Sequence, residues 1–293
     1  MGEDFYREAF ARNLGIISEA EQEVLRRSRV AILGLGGVGG IHLATVARLG
    51  VGGVRIADGD AFETANINRQ YGACAATLGR NKTEVMAELA KQLNPGVEIA
   101  AFPEGVSARV LDAFLEGADL VIDGVDFFAV DVRRQVFRRA RERGLHVVSA
   151  GPVGFGAALL VFSPSGMSFD DYFGLRDDMS WEEMVAAFAV GLAPAGWHVG
   201  YMDLSRVDLE GRKAPGLASA CALCAGLAAT EVLKILLKRG RLLAAPHYLQ
   251  LDPYLLRWRK GYMAFGGRNP LQQLKRRLLL RKVRSLSRER GLG

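Results

Sequence analysis

A glycine-rich segment near the start of the chain is the first feature with chemical meaning. A short apolar run of strand character, Arg29–Leu33, precedes it, and a helical pattern follows it to Leu49. Its glycines are Gly34, Gly36, Gly37 and Gly39. Glycines between a strand and a helix allow a tight turn and close backbone approach, and the helix N-terminus faces a bound anion. The carboxylate of Asp58 follows nineteen residues after Gly39, where a ribose ligand is expected. The segment predicts a bound nucleotide and leaves its identity open.

Cationic side chains after Asp58 favour a triphosphate over a nicotinamide dinucleotide. The chain continues with Asp60, the run Ala65-Asn66-Ile67-Asn68-Arg69-Gln70, and Lys82 at the start of the next predicted helix. Hydride transfer needs no cations here. Triphosphate chemistry needs Arg and Lys to neutralise the phosphates and a carboxylate to hold Mg²⁺. Taken singly, each of these residues fits a polar loop or a solvated helix equally well.

The order of predicted elements places these residues on an α/β fold. Strands alternate with helices from Arg29 to Ala150, which predicts a doubly wound, mainly parallel, Rossmann-like sheet with helices on both faces. Residues 163–216 contain Pro, Gly and acidic turns around a short helix near Trp181–Val190. We interpret them as a long crossover that covers the site, not as a separate domain. A long helix over Ala218–Leu237 and a strand over His247–Asp252 follow.

The charge is concentrated in the last part of the chain. Residues 257–293 contain twelve Lys or Arg and one acid, Glu289, whereas the whole chain carries +6, so the body is mildly acidic. We predict one domain over residues 1–256 and a basic, helical tail over 257–293. From Pro270 the leucines recur at helical spacing with cations between them. Such a helix can bind an anionic membrane surface, RNA or an acidic protein. We favour a solvated helix whose leucines pack on the body or on a partner subunit.

Composition and cysteine usage indicate a cytoplasmic protein. The first residues lack an apolar signal segment, and the uncharged stretch Ala214–Thr230 falls short of the roughly 20 apolar residues of a membrane span. Three cysteines without a secretory signal indicate a reducing compartment. A thiolate zinc site needs four ligands, and Cys221 with Cys224 is the only CxxC pair, so we predict no complete zinc site. A site completed by histidine or by a second subunit stays open, as does a thioester on Cys221.

Five motifs, in this order and spacing, make the chain resemble the ThiF/MoeB/HesA family of ubiquitin-activating-enzyme-like adenylyltransferases. They are Gly-Leu-Gly-Gly-Val-Gly at 34–39, Asp58-Gly-Asp60, Asn66-Ile-Asn68-Arg69-Gln70, Leu78-Gly-Arg-Asn-Lys82 and Asp123-Gly-Val-Asp126. The resemblance covers residues from about 10 to 162 closely and resumes weakly through the helix at 218–237 and the late strand.

The resemblance implies a role for each matching residue. The nucleotide-binding residues would be Gly34, Gly36, Gly37, Gly39, Asp58, Asp60, Asn66, Asn68, Arg69 and Lys82. The catalytic residues would be Arg12, Arg69, Lys82 and Asp126. Asp126 would bind Mg²⁺, and Arg12 would enter the site of the partner subunit in a homodimer. The family usually has Asn where this chain has Phe127, which removes one polar contact on the substrate side.

The expected reaction is the attack of a carboxylate on the α-phosphate of ATP, with release of pyrophosphate and formation of a mixed anhydride. The leading prediction is an ATP- and Mg²⁺-dependent adenylyltransferase that activates the C-terminus of a small ubiquitin-like carrier protein or peptide. One alternative is a HesA-like tRNA threonylcarbamoyladenosine dehydratase whose basic tail holds RNA. A second is a Rossmann NAD(P)-binding oxidoreductase or nucleotide-sensing module.

Overall fold

An eight-stranded sheet forms the centre of the structure, a computed structural model that describes residues 3–289 and the side chains of residues 3–282. The strands are β1 Arg29–Leu33, β2 Gly53–Ala57, β3 Glu98–Phe102, β4 Leu120–Asp123, β5 His146–Val153, β6 Gly156–Phe162, β7 His247–Asp252 and β8 Arg257–Tyr262. Their order across the sheet is β3-β2-β1-β4-β5-β6-β7-β8. The first five strands pair in parallel, and the last three join through antiparallel pairings. The predicted α/β fold with a mainly parallel sheet is confirmed.

Helices cover both faces of this sheet. They are α1 Glu3–Phe10, α2 Glu19–Arg27, α3 Gly39–Arg48, α4 Lys82–Leu93, α5 Leu111–Leu115, α6 Val130–Glu142, α7 Phe169–Phe173, α8 Trp181–Leu192, α9 Ala218–Leu236 and α10 Pro270–Glu289. The apolar side chains of α2, α3, α4 and α9 form the core on one face. Those of α5 to α8 form the core on the other face. The strands between them are therefore buried on both sides, as the unbroken apolar runs predict.

The segment before β1 contains two helices and not one continuous helix. A capping box begins α2: Ser18 accepts from the backbone of Glu21, and the Glu21 side chain accepts from the backbone of Ser18. Before it, α1 ends at Phe10 and a short 3-10 turn follows at Ala11–Asn13. Gly15 then adopts φ +100°, which interrupts any continuous helix.

The crossover belongs to the same core as the sheet. The predicted helix near Trp181–Val190 is α8, and α7 precedes it. Phe169, Tyr172, Phe173 and Phe188 from these two helices are buried against the sheet and α6. The crossover therefore shares one hydrophobic core with this face of the sheet.

The basic tail is only partly as predicted. Its first residues form β8, which pairs antiparallel with β7, so the segment after 256 begins with a strand and not with a helix. The helix predicted from Pro270 is present as α10, and residues 290–293 lie outside the described part of the chain. Leu271, Leu274 and Leu278 are each more than half exposed. Leu279 and Leu280 are intermediate in exposure. Packing of the three exposed leucines on a partner subunit, which is the other half of the expectation stated for this helix, stays a prediction.

One helix, α9, is long and apolar enough to span a membrane when judged by length and composition alone. Half of its apolar window is buried within the structure, where it packs on β5, β6 and α3. Small residues make this close packing possible: Ala220, Ala225 and Ala228 are almost completely buried. Within the described residues, α9 therefore serves as a core helix.

Candidate nucleotide-binding site

The register of the central strands brings three loops together at the carboxyl edge of the sheet. Leu33, the last residue of β1, is in register with Ala57 of β2 and with Asp123 of β4. The backbone N–H of Gly34 donates to Ala57 at 2.8 Å, and that of Gly124 donates to Leu33 at 2.8 Å. The strand order reverses direction between β1 and β4, and ligands of open α/β sheets bind at such a point.

The glycines of the loop fall into two groups. Gly34 has φ +81°, and a Cβ atom on Gly39 would overlap the carbonyl oxygen of Gly34. A Cβ atom on Gly34 would in turn overlap the carbonyl of Gly124. These three residues are glycines because their backbones touch one another.

Gly36 and Gly37 have no such constraint from the protein. A Cβ atom on Gly36 would lie 3.6 Å from its nearest neighbour, Nε2 of Gln70, and one on Gly37 would lie 3.4 Å from Sγ of Cys221. These are ordinary or nearly ordinary contact distances. The missing side chains leave this stretch of backbone open to a bound group, as close approach to a phosphate requires.

Asp58 and Lys82 form the β2 side of the site. Asp58 accepts the N–H of Leu35 at 2.7 Å and that of Asp60 at 2.9 Å, which ties the glycine loop to β2. Burial raises the pKa of Asp58, and the nearby Lys82 ammonium opposes that rise. Lys82 is 7% exposed and bonds at 3.0 Å to Asp60, whose side chain is 76% exposed. An almost buried cation is therefore held by one solvent-facing carboxylate.

Arg69 lies near Gly37 of the glycine loop. Its Nη1 donates to the carbonyl of Ala65 at 3.0 Å and to Oδ1 of Asn68 at 2.8 Å. The amide of Asn68 donates to the carbonyl of Gly216 at 3.0 Å, so the end of the crossover fixes this pair. A Cβ atom on Gly37 would lie 3.9 Å from Cγ of Arg69. The aliphatic part of the Arg69 side chain therefore lies beside the open backbone, and its guanidinium group is held by the loop and by Asn68.

Asn66 and Gln70 lie deeper in the same loop. Asn66 is 9% exposed, and its Oδ1 accepts the N–H of Glu63 at 3.0 Å. Gln70 is 8% exposed, and its Oε1 has no hydrogen-bond partner among the described residues. The Nε2 end of the same amide lies nearest to Gly36. Because a buried acceptor without a partner is costly, Oε1 of Gln70 fits a donor on a bound group.

The two aspartates of the Asp123-Gly-Val-Asp126 motif have different surroundings. Asp123 is buried and pairs with Arg133 at 2.9 Å, and Ser149 donates to it at 2.7 Å. Arg133 also donates to the carbonyls of Val125 and Asp126 and so shapes the loop between the aspartates. Asp126 is exposed and accepts only the N–H of Phe128, at 2.9 Å. Asp126 therefore has free acceptor positions at the site, whereas the carboxylate of Asp123 is occupied by Arg133 and Ser149.

A magnesium ion fits one exposed carboxylate at this edge. Mg²⁺ usually keeps several waters and binds proteins through one or two carboxylates together with substrate phosphates. Asp126 meets that requirement, because its carboxylate lies two residues from Gly124 and is open to solvent. Among the described residues, no three His, Cys, Asp or Glu side chains are grouped as a metal cage.

The cysteines that the sequence singled out lie beside this site. Cys221 and Cys224 are buried in the first turns of α9, and Cys74 is exposed in a separate loop. Burial raises the pKa of Cys221, and Arg69 opposes that rise. The Cys221 thiol is therefore protonated and packs against the loop near Gly37. The prediction that the protein lacks a complete zinc site stays a prediction, which elemental analysis of the purified protein would decide.

Arg12 is the one predicted site residue that lies elsewhere. It is exposed in the 3-10 turn Ala11–Asn13, and Asn13 donates to the carbonyl of Leu49 at the C-terminal end of α3. The glycine loop meets the other end of that ten-residue helix, about 15 Å away. Within one chain the structure does not bring Arg12 to the site.

Sequence reasoning missed three residues that organise the site: Gln70 as an unpartnered acceptor, Arg133 and Ser149. Arg133 is one of six arginines in the segment 133–143, and its spacing does not distinguish it from the other five. Only the folded structure, which places Arg133 beside Asp123 at the end of β4, identifies its role.

Fold and site together define a nucleotide-binding α/β protein, and comparison with known proteins places it within that class. The sequence pattern of the ThiF family matches residues 10–266, and the chain belongs to that family. It is 31% identical over 142 residues to the tRNA threonylcarbamoyladenosine dehydratase of Bacillus subtilis, a match to 48% of this chain and 55% of the relative. It is 30% identical over 161 residues to the sulfur carrier protein ThiS adenylyltransferase of Escherichia coli, a match to 55% of this chain and 63% of the relative. The chain thus spans less than two thirds of either relative.

Among solved structures, the fold is similar to that of selenomethionine PaaA. The TM-score is 0.66 at 20% identity, and the match covers 89% of this chain and 74% of that chain. At this identity the likeness concerns the fold.

Proposed function

We propose that this protein is an ATP-dependent adenylyltransferase that activates the C-terminal carboxylate of a small ubiquitin-like carrier protein or peptide. One observation carries the proposal: Arg69, Lys82 and Asp126 surround an open glycine loop at a single edge of the sheet. Membership of the ThiF family and similarity to a ThiS adenylyltransferase support it.

In this proposal the phosphates lie against the backbone of Gly36 and Gly37, and Asp58 accepts from the ribose. Lys82 exchanges Asp60 for a phosphate oxygen. This exchange needs little movement, because Lys82 is already held at the edge of the loop by a carboxylate that is free to turn into solvent. Arg69 approaches the phosphates near Gly37. The two cations then neutralise anions that would otherwise repel each other.

The chemical step follows from this arrangement. An oxygen of the substrate carboxylate attacks the α-phosphorus of ATP, a new P–O bond forms, and the bond to pyrophosphate breaks. The product is an acyl-adenylate, a mixed anhydride. No general base is needed, because a carboxylate is ionised at neutral pH. When bound, Mg²⁺ on Asp126 supplies positive charge at the reacting phosphates. The chain's own task is to position two anions and to screen their repulsion.

A second candidate is a dehydratase of tRNA threonylcarbamoyladenosine. Similarity to the Bacillus subtilis dehydratase favours it, and the resemblance of Asn66-Ile-Asn68-Arg69-Gln70 to that branch agrees. The adenylation step would be the same, but the carboxylate would belong to a modified tRNA nucleoside, and cyclisation would follow. The two candidates differ in the carrier of the carboxylate and not in the use of the nucleotide.

The test is exchange of radiolabelled pyrophosphate into ATP, measured with a carrier protein ending in Gly-Gly and, separately, with tRNA bearing threonylcarbamoyladenosine. Exchange with the carrier supports the first candidate, and exchange with tRNA accompanied by loss of water from the nucleoside supports the second. Calorimetry compares the affinities of the protein for Mg·ATP and for NAD. Tighter binding of NAD would rule out both adenylation candidates.

A matched pair of variants ties the result to the site. Lys82→Met should abolish exchange, because it removes the buried cation next to the phosphates. Arg80→Gln, two residues earlier, should retain exchange, because Arg80 bonds to Glu88 away from the loop. Equal loss in both variants would show that the chemistry does not depend on Lys82.

A further inference from the structure

Helix α10 packs on the body of the protein and leaves part of its apolar surface exposed to solvent. Its body side includes several polar side chains: Gln272, Gln273 and Arg276 lie against α7 and α8. Leu279 and Leu280 are also partly buried. Lys275 donates to the carbonyl of Pro194 at 2.7 Å and adds a further polar contact. A surface helix normally buries its apolar stripe and exposes its polar one. In α10 an apolar stripe is left facing outward.

Three leucines form this outward stripe. Leu271, Leu274 and Leu278 are 55%, 51% and 53% exposed. They lie at positions i, i+3 and i+7, which fall within an arc of about 60° at 100° per residue. We call these three residues the leucine stripe. Single exposed leucines are common, but three on one helical face form a continuous apolar surface.

Cations border the leucine stripe on both sides. Arg277 and Arg281 lie on one flank and Lys282 lies on the other, and all three are exposed. The sequence contains no acidic residue from 270 to 288. Lys275 and Arg259 of β8 are close enough for the Arg259 charge to lower the pKa of Lys275, in addition to the effect of burial. The positive potential therefore extends from α10 onto the edge of the sheet.

We propose that the leucine stripe of α10 binds an anionic lipid bilayer, with the helix lying in the plane of the surface. Leucines flanked by cations fit such a surface, because it offers an apolar acyl region and a layer of anionic headgroups. The leucines enter the acyl boundary, and the long Arg and Lys side chains reach back to phosphate headgroups. This proposal is independent of the reaction at the nucleotide site.

Charge and chemistry distinguish this occupant from the others. A second copy would bring the same cations face to face, and that repulsion opposes self-association through this surface. RNA would use the cations, but it would offer nothing to the leucines. A bilayer is the partner for which both kinds of side chain contribute.

Vesicle flotation of the full chain tests the proposal. The vesicles are phosphatidylcholine alone and an equimolar mixture of phosphatidylcholine and phosphatidylglycerol. Wild type should float with the anionic vesicles only. Leu274→Gln with Leu278→Gln, and separately Arg277→Gln with Arg281→Gln, should each weaken binding by about tenfold or more. These side chains are exposed, so melting temperatures should match wild type.

The controls change similar side chains outside α10. Ile16→Gln removes an apolar residue that is 78% exposed, and Arg206→Gln removes a cation whose side chain is 81% exposed. Both controls should bind like wild type. No binding to anionic vesicles overturns the proposal, and so does full binding by the leucine variant. Binding to a structured RNA that depends on the arginines, together with vesicle binding that ignores the leucines, would identify a general polyanion surface instead.

Discussion

Arg133 donates through Nε to both carboxylate oxygens of Asp123, at 3.2 and 2.9 Å, and both side chains are buried. The same guanidinium group donates to backbone carbonyls of the loop that follows β4 and lies 4.5 Å above the ring of Phe188 in the crossover. One buried ion pair thus connects the strand, the loop and the crossover. Asp126 is presented to solvent by the loop that this pair shapes.

The two aspartates of that motif should respond differently to substitution. Asp123→Ala leaves the buried Arg133 charge without its partner, which typically costs about 3–5 kcal/mol of unfolding free energy. Asp126→Ala removes an exposed side chain and should leave the unfolding free energy nearly unchanged. If Asp126 holds Mg²⁺ as proposed, its loss should slow pyrophosphate exchange by a factor of about 10²–10³. Denaturant unfolding and the exchange assay measure the two effects separately.

The contrast between the variants is the informative result. An Asp126→Ala chain with normal exchange would remove Asp126 from the proposed metal site. An Asp123→Ala chain as stable as wild type would mean that the buried pair contributes little to the loop. Asp126→Asn serves as the conservative control, because its side-chain oxygen can still accept the N–H of Phe128.

The glycine loop permits a similar separation of binding from folding. Gly36→Ala places a methyl group in a space where the nearest protein atom is 3.6 Å away, so the fold should tolerate it. The same methyl group would occupy the place of a bound phosphate, and ATP affinity should fall by at least about tenfold. Gly39→Ala would drive its methyl group into the carbonyl of Gly34 and should lower the melting temperature instead. Calorimetry and thermal unfolding of both variants check this. Undiminished ATP binding by Gly36→Ala would contradict the proposed phosphate position.

The sequence predicts the parts of this protein whose signals are local. Strand–loop–helix alternation predicted the region from β1 to β5 with the helices between them, because apolar runs and glycine or capping residues mark the ends of the elements. The motifs likewise grouped Asp58, Arg69, Lys82 and Asp126, which the register of parallel strands brings to one edge.

The parts that sequence missed depend on long-range contacts. The strand β8 has exposed residues at five of its six positions and so lacks the burial pattern of a strand. Only pairing with β7 defines it. The direction of the leucine stripe depends on where α10 docks, and periodicity gives the stripe but not its partner. The role of Arg133 requires the position of β4, which lies ten residues away in sequence.

His42 predicts a specific acid sensitivity. Both of its ring nitrogens are buried without a partner among the described residues, and burial lowers its pKa to about 4 from 6.5, against an opposing effect of Asp123. The unfolded chain therefore takes up a proton as pH falls below 6.5, whereas the folded chain stays neutral until about pH 4. Stability is lost across that window, by about 3 kcal/mol in total.

The variant His42→Leu isolates this effect. It has a similar volume and no titrating group, so its unfolding free energy at pH 7 should equal or exceed that of wild type. Its advantage over wild type should grow as pH falls from 6.5 to 4. Denaturant titrations at several pH values give this difference directly. A difference that stays constant with pH would show that His42 titrates alike in the folded and unfolded chains.

The position of Arg12 allows only one way for it to act in the proposed reaction. The length of α3 separates it from the glycine loop of its own chain, so a role at the reacting phosphates requires a partner subunit. In a homodimer built this way, an Arg12→Ala chain and an Asp126→Ala chain are each inactive alone. A mixed dimer contains one site with both residues intact and one with neither. Random exchange of subunits in a two-fold dimer should therefore restore about a quarter of wild-type pyrophosphate exchange. Differently tagged chains, purified in sequence over both tags, would establish that the mixed dimers form. Mixed dimers without activity would place Arg12 outside the reaction. Within a single chain, Arg12 could reach the loop only if the 3-10 turn that carries it moved away from the C-terminal end of α3.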